Sequence, residues 1–381
     1  MLEIIYNYSF FFLAIYLTTK TNNYFFKFDE AIFALSLIFH LSLTFIYIKV
    51  FSTGDWESYI WEIDDALERV SSTSFLFSSH LIITISAFLQ KILLLKQVNI
   101  ILVFSLLSFF GIAIFLKNLF QLGFQDKYMY LFLFIPSIHF WTCIPGKDSI
   151  IIFCTSFFFY FYINKKIFIP IIFLLIIGLL RPHVGAIFFI SFLTTEFLTT
   201  KGFYKKIFIF FLFLLSCYTF LLSKRTGSYF IISTHELSRS VNFGGNLFFK
   251  MLAQLNNISE KFSTTGSAYE SGLFLSNIFK YILFPPEFIF KKTSAYITFS
   301  ILIETSTFIL ISTLISFHTK ILSIDKKLLY FLSISISLYL LILPQVFFNY
   351  GLNIRQKWMI VPFIIYFSFL VRNLFVKIKK T

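Results

Sequence analysis

The chain has 381 residues, of which 58% are hydrophobic and only 13% are charged, and its mean hydropathy is +0.83. Soluble domains carry about 25% charged residues, so this composition excludes an ordinary soluble fold and predicts a helical membrane protein. The formal net charge of +14 is not evidence for a nucleic-acid partner, because membrane proteins gather lysine and arginine in their cytoplasmic loops.

Apolar runs recur along the whole chain, and a helical crossing of a bilayer needs about 20 apolar residues. The candidate spans are 4–19, 31–50, 98–116, 129–145, 149–163, 167–180, 184–199, 207–223, 295–316, 328–348 and 356–372. A further apolar stretch, 75–95, is predicted to be re-entrant or interfacial, since a crossing there would place the acidic loop 51–74 among the basic loops. We therefore expect an all-α bundle of about 11 spans that forms a single integral membrane domain over residues 1–381.

Under this assignment the lysines of the short loops, from Lys20 to Lys380, face the cytoplasm. The outer side then carries segment 51–97, which combines an acidic amphipathic helix with the re-entrant stretch, and the long loop 224–294. Polar residues of this outer side are the candidates for function, because the inner loops are too short to hold a nucleotide-binding domain.

The first outer feature is the acidic segment that begins at Gly54-Asp55. Its apolar residues recur at helical spacing and are Trp56, Tyr59, Ile60, Ile63, Leu67 and Val70. The acidic residues Glu57, Asp64, Asp65 and Glu68 are left on the polar side. Helices that lie on membranes are usually basic, so an acidic one favours a role facing a site. The alternative is that Asp55 only caps the helix.

The turn Gly146-Lys147-Asp148 places a cation beside an anion between two apolar runs. Glycine is expected there for the backbone freedom of the turn, whereas ionisable residues at membrane depth tend to mark function. The alternative is structural: Asp148 would cap a helix that begins at Ser149, and Lys147 would extend to the interface.

Further charges of the outer side suit an anionic partner. Arg181 and His183 flank a proline that joins two apolar runs, and a guanidinium there could clamp a phosphate. Arg355 and Lys357 lie in a short loop before the last span, where a lipid phosphate or pyrophosphate would suit them. The alternatives are interfacial anchoring for Arg181, a hydrogen-bonded structural role for His183, and contact with lipid head groups in general for Arg355 and Lys357. Glu304, in the middle of a later span, needs a cation, and Arg181 or Arg355 is the expected partner.

Sequence motifs of several enzyme classes are absent. The chain contains no GxxxxGK[ST], HExxH, GxSxG or CxxC pattern, which argues against ATP-driven transport by this chain alone. Its cysteines, Cys143, Cys154 and Cys217, lie in apolar stretches without the spacing of metal ligands. No metal site is therefore predicted from the sequence.

The order of these parts resembles the GT-C class of membrane glycosyltransferases and related bacterial polysaccharide polymerases. In that class the first outer loop carries an acidic motif, matched here by Gly54-Asp55, and a re-entrant segment follows, as 75–95 does here. A second outer turn presents another aspartate, matched by Asp148. The resemblance covers the layout of roughly residues 50–370. An extra span before the acidic loop and the Lys-Asp pair depart from the pattern, so transferase and polymerase both stay open.

The resemblance implies sugar transfer from a polyprenyl-phosphate or pyrophosphate donor to a glycan or lipid-linked acceptor, at the outer face of the bacterial inner membrane. In this interpretation Asp55 takes the proton of the acceptor hydroxyl, and Lys147 and Asp148 complete the catalytic set. Substrate-binding residues would be Glu57, Arg181, His183, Arg355 and Lys357. A divalent cation held by Asp55 and Asp148 is an option that the residues do not demand. Alternatives are a flippase of lipid-linked oligosaccharide and a non-catalytic membrane assembly partner.

Overall fold

The computed structural model describes residues 2–50, 55–60, 79–124, 127–166, 168–200, 202, 311, 326–346, 359–361, 363–368 and 371. Regular structure within these residues is helical, and no strand occurs among them, in agreement with the predicted all-α class. Most of the acidic segment, the long loop 224–294, Glu304, Arg355 and Lys357 lie outside the described residues.

The chain divides into two units. The first contains the described residues of Met1–Arg181, Lys292–Ser323 and Ser368–Thr381, and the second those of Pro182–Lys291 and Ile324–Phe367. Helices of the first unit are α1 (Leu2–Thr21), α2 (Glu30–Val50), α3 (Asp55–Ser58), α4 (Ser79–Ala87), α5 (Gln97–Gln121), α6 (Pro136–Thr142), α7 (Lys147–Ile163) and α8 (Phe168–Leu180). The π-helical segments Asn22–Phe26 and Phe88–Ile92 follow α1 and α4, and the 3-10 helix Lys127–Phe134 precedes α6. The second unit contains α9 (Pro182–Thr199) and α10 (Lys326–Val346).

Two helices of the described part are long and apolar enough to cross a membrane, namely Glu30–Lys49 and Gln97–Gln121. Shorter apolar helices are Ser79–Ile92, Phe168–Leu180, Val184–Thr199 and Met359–Ser368. The predicted span 129–145 is not one continuous helix, because the 3-10 helix ends at Phe134 and α6 begins at Pro136. Proline lacks a backbone N–H and is accommodated in the first turn of a helix rather than in its interior.

Large apolar side chains stay exposed along one face of several helices of the first unit. They recur three or four residues apart and include Ile5, Tyr8, Phe12 and Tyr16 on α1, Leu35, Ile38 and Phe45 on α2, and Phe168, Ile172 and Leu175 on α8. Contiguous apolar faces of this kind are rare on soluble monomers. They are suited to contact with lipid, which agrees with the membrane association predicted from composition.

Side-chain contacts show that α2 and α5 are antiparallel. Thr44, near the end of α2, lies 3.0 Å from Ser105 between their hydroxyl oxygens. Phe33, near the start of α2, packs its ring 5.2 Å from that of Phe109, farther along α5. The end of α2 and the start of α5 therefore lie at the same end of the first unit.

Helix α7 lies directly against α5 and runs in the same direction. Gly111 of α5 faces Phe153 of α7 so closely that a Cβ on the glycine would lie 2.8 Å from the Phe153 backbone. Farther along both helices, Asn118 Nδ2 donates to the carbonyl of Ser156 at 2.9 Å. The starts of α5 and α7 consequently share one end, which we call the site end, and their last turns share the other, which we call the lysine end.

A buried histidine pair joins α2 to α6 in the interior of the first unit. His40 and His139 are both 0% exposed, and their Nδ1 atoms are 2.7 Å apart. His40 Nε2 lies 2.9 Å from the carbonyl oxygen of Ser105, which can only accept. With both rings neutral, His40 therefore carries its hydrogen on Nε2, and His139 donates from Nδ1 to His40. The pair fixes the packing of α2, α5 and α6 through directional bonds.

Replacing His139 with leucine is expected to destabilise the protein by about 1–3 kcal/mol, because His40 Nδ1 would lose its donor inside the bundle. The double change His40→Leu with His139→Leu should cost less than the sum of the single changes, since it leaves no unpaired imidazole nitrogen. The Ser105 carbonyl also accepts from the Ser108 hydroxyl at 2.8 Å, and we expect that bond to remain in the double variant. Thermal unfolding in detergent measures the loss of stability of each variant. A loss in the double variant equal to the sum of the two single losses would contradict the bond between His40 and His139.

The second unit contains an aromatic stack and an ion pair between α9 and α10. The Phe188 ring stacks 4.5 Å from that of Phe363 and 6.2 Å from that of Tyr339. Lys327 Nζ lies 2.5 Å from Glu196 Oε1, and the Glu196 side chain is only 9% exposed. These contacts bring the last turn of α9 beside the first turn of α10, so the two helices are antiparallel.

Candidate functional site

The site end of the first unit carries Asp55, Glu57, Lys147, Asp148 and Arg181, which are the described members of the charged residues predicted for the outer side. Asp55 is the first residue of α3 and follows α2, which ends at Val50; a connection of this length spans at most about 17 Å. Trp56, Tyr59 and Ile60 of the predicted stripe are buried, but α3 ends at Ser58 and Tyr59 and Ile60 lie in a turn, so the predicted helix does not continue through them. Asp55 therefore lies at the same end of the bundle as the turn that precedes α7.

The first turn of α7 differs from the capping arrangement considered from the sequence. The helix begins at Lys147, and its N-cap residue is Gly146, which has no side chain to cap with. The alternative in which Asp148 caps a helix starting at Ser149 is therefore wrong, since Asp148 already lies inside the first turn. A carboxylate in that turn is favoured by the helix dipole and stays available to bond elsewhere.

Gly146 is not required by its backbone conformation. Its φ of 171° and ψ of 175° are extended values that any residue adopts. A Cβ built there would meet no atom closer than the Ile144 carbonyl oxygen, at 3.9 Å. The expectation that the turn needs glycine for its freedom is therefore wrong.

Asp148 is ion-paired with Arg181, the residue that follows α8. Arg181 Nη2 donates to Asp148 Oδ1 at 2.8 Å, and the two side chains are 11% and 15% exposed respectively. The antiparallel packing of α7 and α8 brings the residues together, as the ring contact between Phe157 and Phe173 at 5.4 Å confirms farther along the same helices. Arg181 thus has a partner that the sequence analysis did not assign to it.

The pair leaves part of the guanidinium free of bonds to protein. Arg181 Nε is buried and has no hydrogen-bond partner among the described residues. Guanidinium groups present N–H donors in a planar fork that matches phosphate oxygens. Asp148 holds Nη2 and so fixes the plane of the guanidinium. An anion would reach the buried Nε only after the side chains around it move. Lys147 is half-buried beside them.

Two further predicted site residues, Glu57 and His183, belong to α3 and α9. Glu57 is half-buried on α3. His183 is the second residue of α9, which begins at Pro182 as the proline position predicts; its side chain, like that of Asp55, is outside the described set. Within the described residues no group of three or more His, Cys, Asp or Glu side chains could hold a metal ion. A divalent cation between Asp55 and Asp148 stays the option that the sequence left open.

Comparison with protein-family models, curated proteins and solved structures finds no match to this chain. The site end combines the guanidinium of Arg181, held by Asp148, with Lys147 and two further carboxyl-bearing residues, Asp55 and Glu57, at one end of an apolar bundle.

Proposed function

We propose that this protein is an integral membrane enzyme that transfers a sugar from a polyprenyl-(pyro)phosphate-linked donor in cell-surface polysaccharide synthesis, as a glycosyltransferase or polymerase. The proposal includes a bundle of about 11 spans in the bacterial inner membrane, with the site end facing outward. The observation that carries it is the Arg181–Asp148 pair at 2.8 Å.

A lipid-linked donor presents its phosphate at the surface of the bilayer, while its hydrocarbon chain stays among the lipid tails. The site end suits such a molecule because the apolar faces of α1, α2 and α8 are exposed and suited to lipid, and Arg181 carries N–H donors at the end of the bundle, with Nε unpaired among the described residues. Interactions that strengthen as charge develops on the departing phosphate accelerate transfer. We assign this role to Arg181 together with Lys147.

The carboxylates have separate roles in the proposal. Asp148 is a positioning residue, because its Oδ1 is occupied by Arg181. Asp55 is the general base that takes the proton of the acceptor hydroxyl. Glu57 would contact the donor or acceptor. The substrate-binding roles of Arg355 and Lys357, which lie outside the described residues, stay predictions of the sequence.

The experiment replaces Asp55 or Asp148 with asparagine and follows glycan chain length and lipid-linked precursor in cells. Removing the base should lower transfer about 100-fold or more, so unpolymerised precursor should accumulate on the outer side. Precursor trapped inside would instead support a flippase, and unchanged glycan in both variants would support a non-catalytic assembly partner.

Asp29→Asn is the matched control for these variants. Asp29 is exposed at the lysine end, and its Oδ1 accepts the backbone N–H of Ile32 at 3.1 Å, a bond that an asparagine oxygen also makes. The control removes one carboxylate charge without touching the site end, so it should leave glycan length unchanged. An equal effect of all three substitutions would contradict the proposal.

A further inference from the structure

The lysine end of the first unit carries a second concentration of charge. Its lysines come from the last turns of α1, α5 and α7 and from the segments beside them, and they are Lys20, Lys27, Lys117, Lys127, Lys165 and Lys166. All except Lys117 are exposed. The described carboxylates of this end are Asp29 and Glu30 at the start of α2, so positive charge predominates.

An aromatic pair organises part of this charge into a cluster. The rings of Phe25 and Tyr160 lie 5.7 Å apart. Lys117 Nζ lies 3.5 Å from the centre of the Phe25 ring and 5.5 Å from that of Tyr160, and it also donates to the Phe25 carbonyl oxygen. Lys27 follows Phe25 by two residues and caps the same π-helical segment, so the backbone brings it to the same place. The chain therefore holds like charges together in a fixed arrangement.

Two exposed lysines complete the cluster at the end of α7. Lys165 and Lys166 directly follow the last turn, and their backbone N–H groups bond the carbonyls of Tyr162 at 3.0 Å and Phe161 at 2.9 Å. A helix C-terminus contributes only about half a negative charge, which is less than the two cations beside it. We name Lys27, Lys117, Lys165 and Lys166 the lysine cluster.

Within the described part of the chain, no ion pair joins a member of the lysine cluster to a carboxylate. Asp29 is engaged in bonding the first turn of α2. Exposed aromatic and apolar residues lie beside the cluster: Tyr24 is 82% exposed and Phe168 is 83% exposed. Tyrosine and phenylalanine next to lysine are typical of the layer where lipid head groups meet hydrocarbon.

We propose that the lysine cluster is a binding site for the phosphate of an anionic phospholipid, located at the end of the bundle opposite the sugar-transfer site. The cations of the cluster neutralise the phosphate, while Tyr24 and Phe168 contact the glycerol and upper acyl region. The lipid-binding site does not involve Arg181 or the chemistry proposed there. Its test can therefore succeed or fail whatever the outcome for the proposed function.

The test measures lipid binding to the full-length protein in neutral detergent by native mass spectrometry, with phosphatidylglycerol and phosphatidylcholine titrated separately. Wild-type protein should prefer phosphatidylglycerol. The variant Lys165→Gln with Lys166→Gln should lose about 5-fold in affinity per lysine, or about 25-fold in total. Both side chains are exposed, so the variant is expected to fold, and its thermal unfolding is recorded as a check.

The matched control is Lys91→Gln with Lys96→Gln, which removes the same charge from exposed residues near the start of α5. It should change phosphatidylglycerol affinity by less than about 2-fold, because charges at a distance of many ångströms are screened. Equal losses in the two double variants, or no preference for phosphatidylglycerol in the wild type, would overturn the proposal. Displacement of the lipid by inorganic phosphate at comparable concentration would also overturn it, since the site would then bind free anions.

Discussion

Replacing Arg181 with lysine is expected to lower sugar transfer about 100-fold, although the charge is kept. A lysine ammonium is a point charge and cannot bond Asp148 while presenting a second, planar edge to a phosphate. Loss of one positioned donor to a developing charge typically costs a factor of 10² to 10³. The measurement is transfer from a polyprenyl-linked donor in isolated membranes, normalised to the amount of folded protein.

The double variant Arg181→Lys with Asp148→Asn tests whether Arg181 and Asp148 act together as one pair or contribute independently of each other. If Asp148 acts by orienting Arg181, removing it after Arg181 has been changed should add little further loss. The activity of the double variant should then lie within about 3-fold of that of Arg181→Lys alone. Multiplicative losses would show that Asp148 acts on the substrate directly, and full activity of Arg181→Lys would remove the role assigned to the guanidinium.

Replacing Gly111 with alanine is expected to destabilise the first unit by about 1–3 kcal/mol or more. The added Cβ would lie 2.8 Å from both the Cα and the backbone N of Phe153. These are backbone atoms, so no side-chain rotation can relieve the contact, and α5 and α7 must separate. The measurement is thermal unfolding in detergent. The loss of stability should be seen with any probe that reports the contact between α5 and α7.

Gly178→Ala is the matched control, because Gly178 also lies inside an apolar helix. A Cβ at this position meets no atom within 4 Å, and alanine is favoured over glycine in a helix interior by about 1 kcal/mol. The two substitutions add the same methyl group and should change stability in opposite directions. Equal unfolding temperatures for the two variants would contradict the close approach of α5 and α7.

Features that depend on neighbouring residues in the chain could be predicted from the sequence. The all-helical class follows from long apolar runs, which satisfy backbone hydrogen bonds only within a helix when they lie in lipid. Trp56, Tyr59 and Ile60 of the predicted apolar stripe are buried, but only Trp56 lies in a helix, since α3 ends at Ser58 and the other two form a turn. Pro182 begins α9 as expected, since the first turn needs no N–H from it.

Local features were predicted wrongly where the flanking structure shifted a boundary. The span 129–145 is interrupted at Pro136, because the apolar composition of the run does not reveal the change from a 3-10 helix to an α-helix. The start of α7 at Lys147 moved Asp148 from the capping position into the first turn. Both differences amount to a few residues, yet the second one frees the Asp148 carboxylate to bond Arg181.

The sequence by itself determined which residues are charged among apolar runs, and so it named Asp148 and Arg181 separately as candidates. Only the tertiary structure decided that they bond to each other across 33 residues of chain and that His40 bonds His139 across 99. The close contact at Gly111 was also invisible in the sequence, since glycine occurs in helices for several reasons. Such contacts depend on which faces of two helices meet and in which direction the helices run, and no local pattern of residue types specifies either.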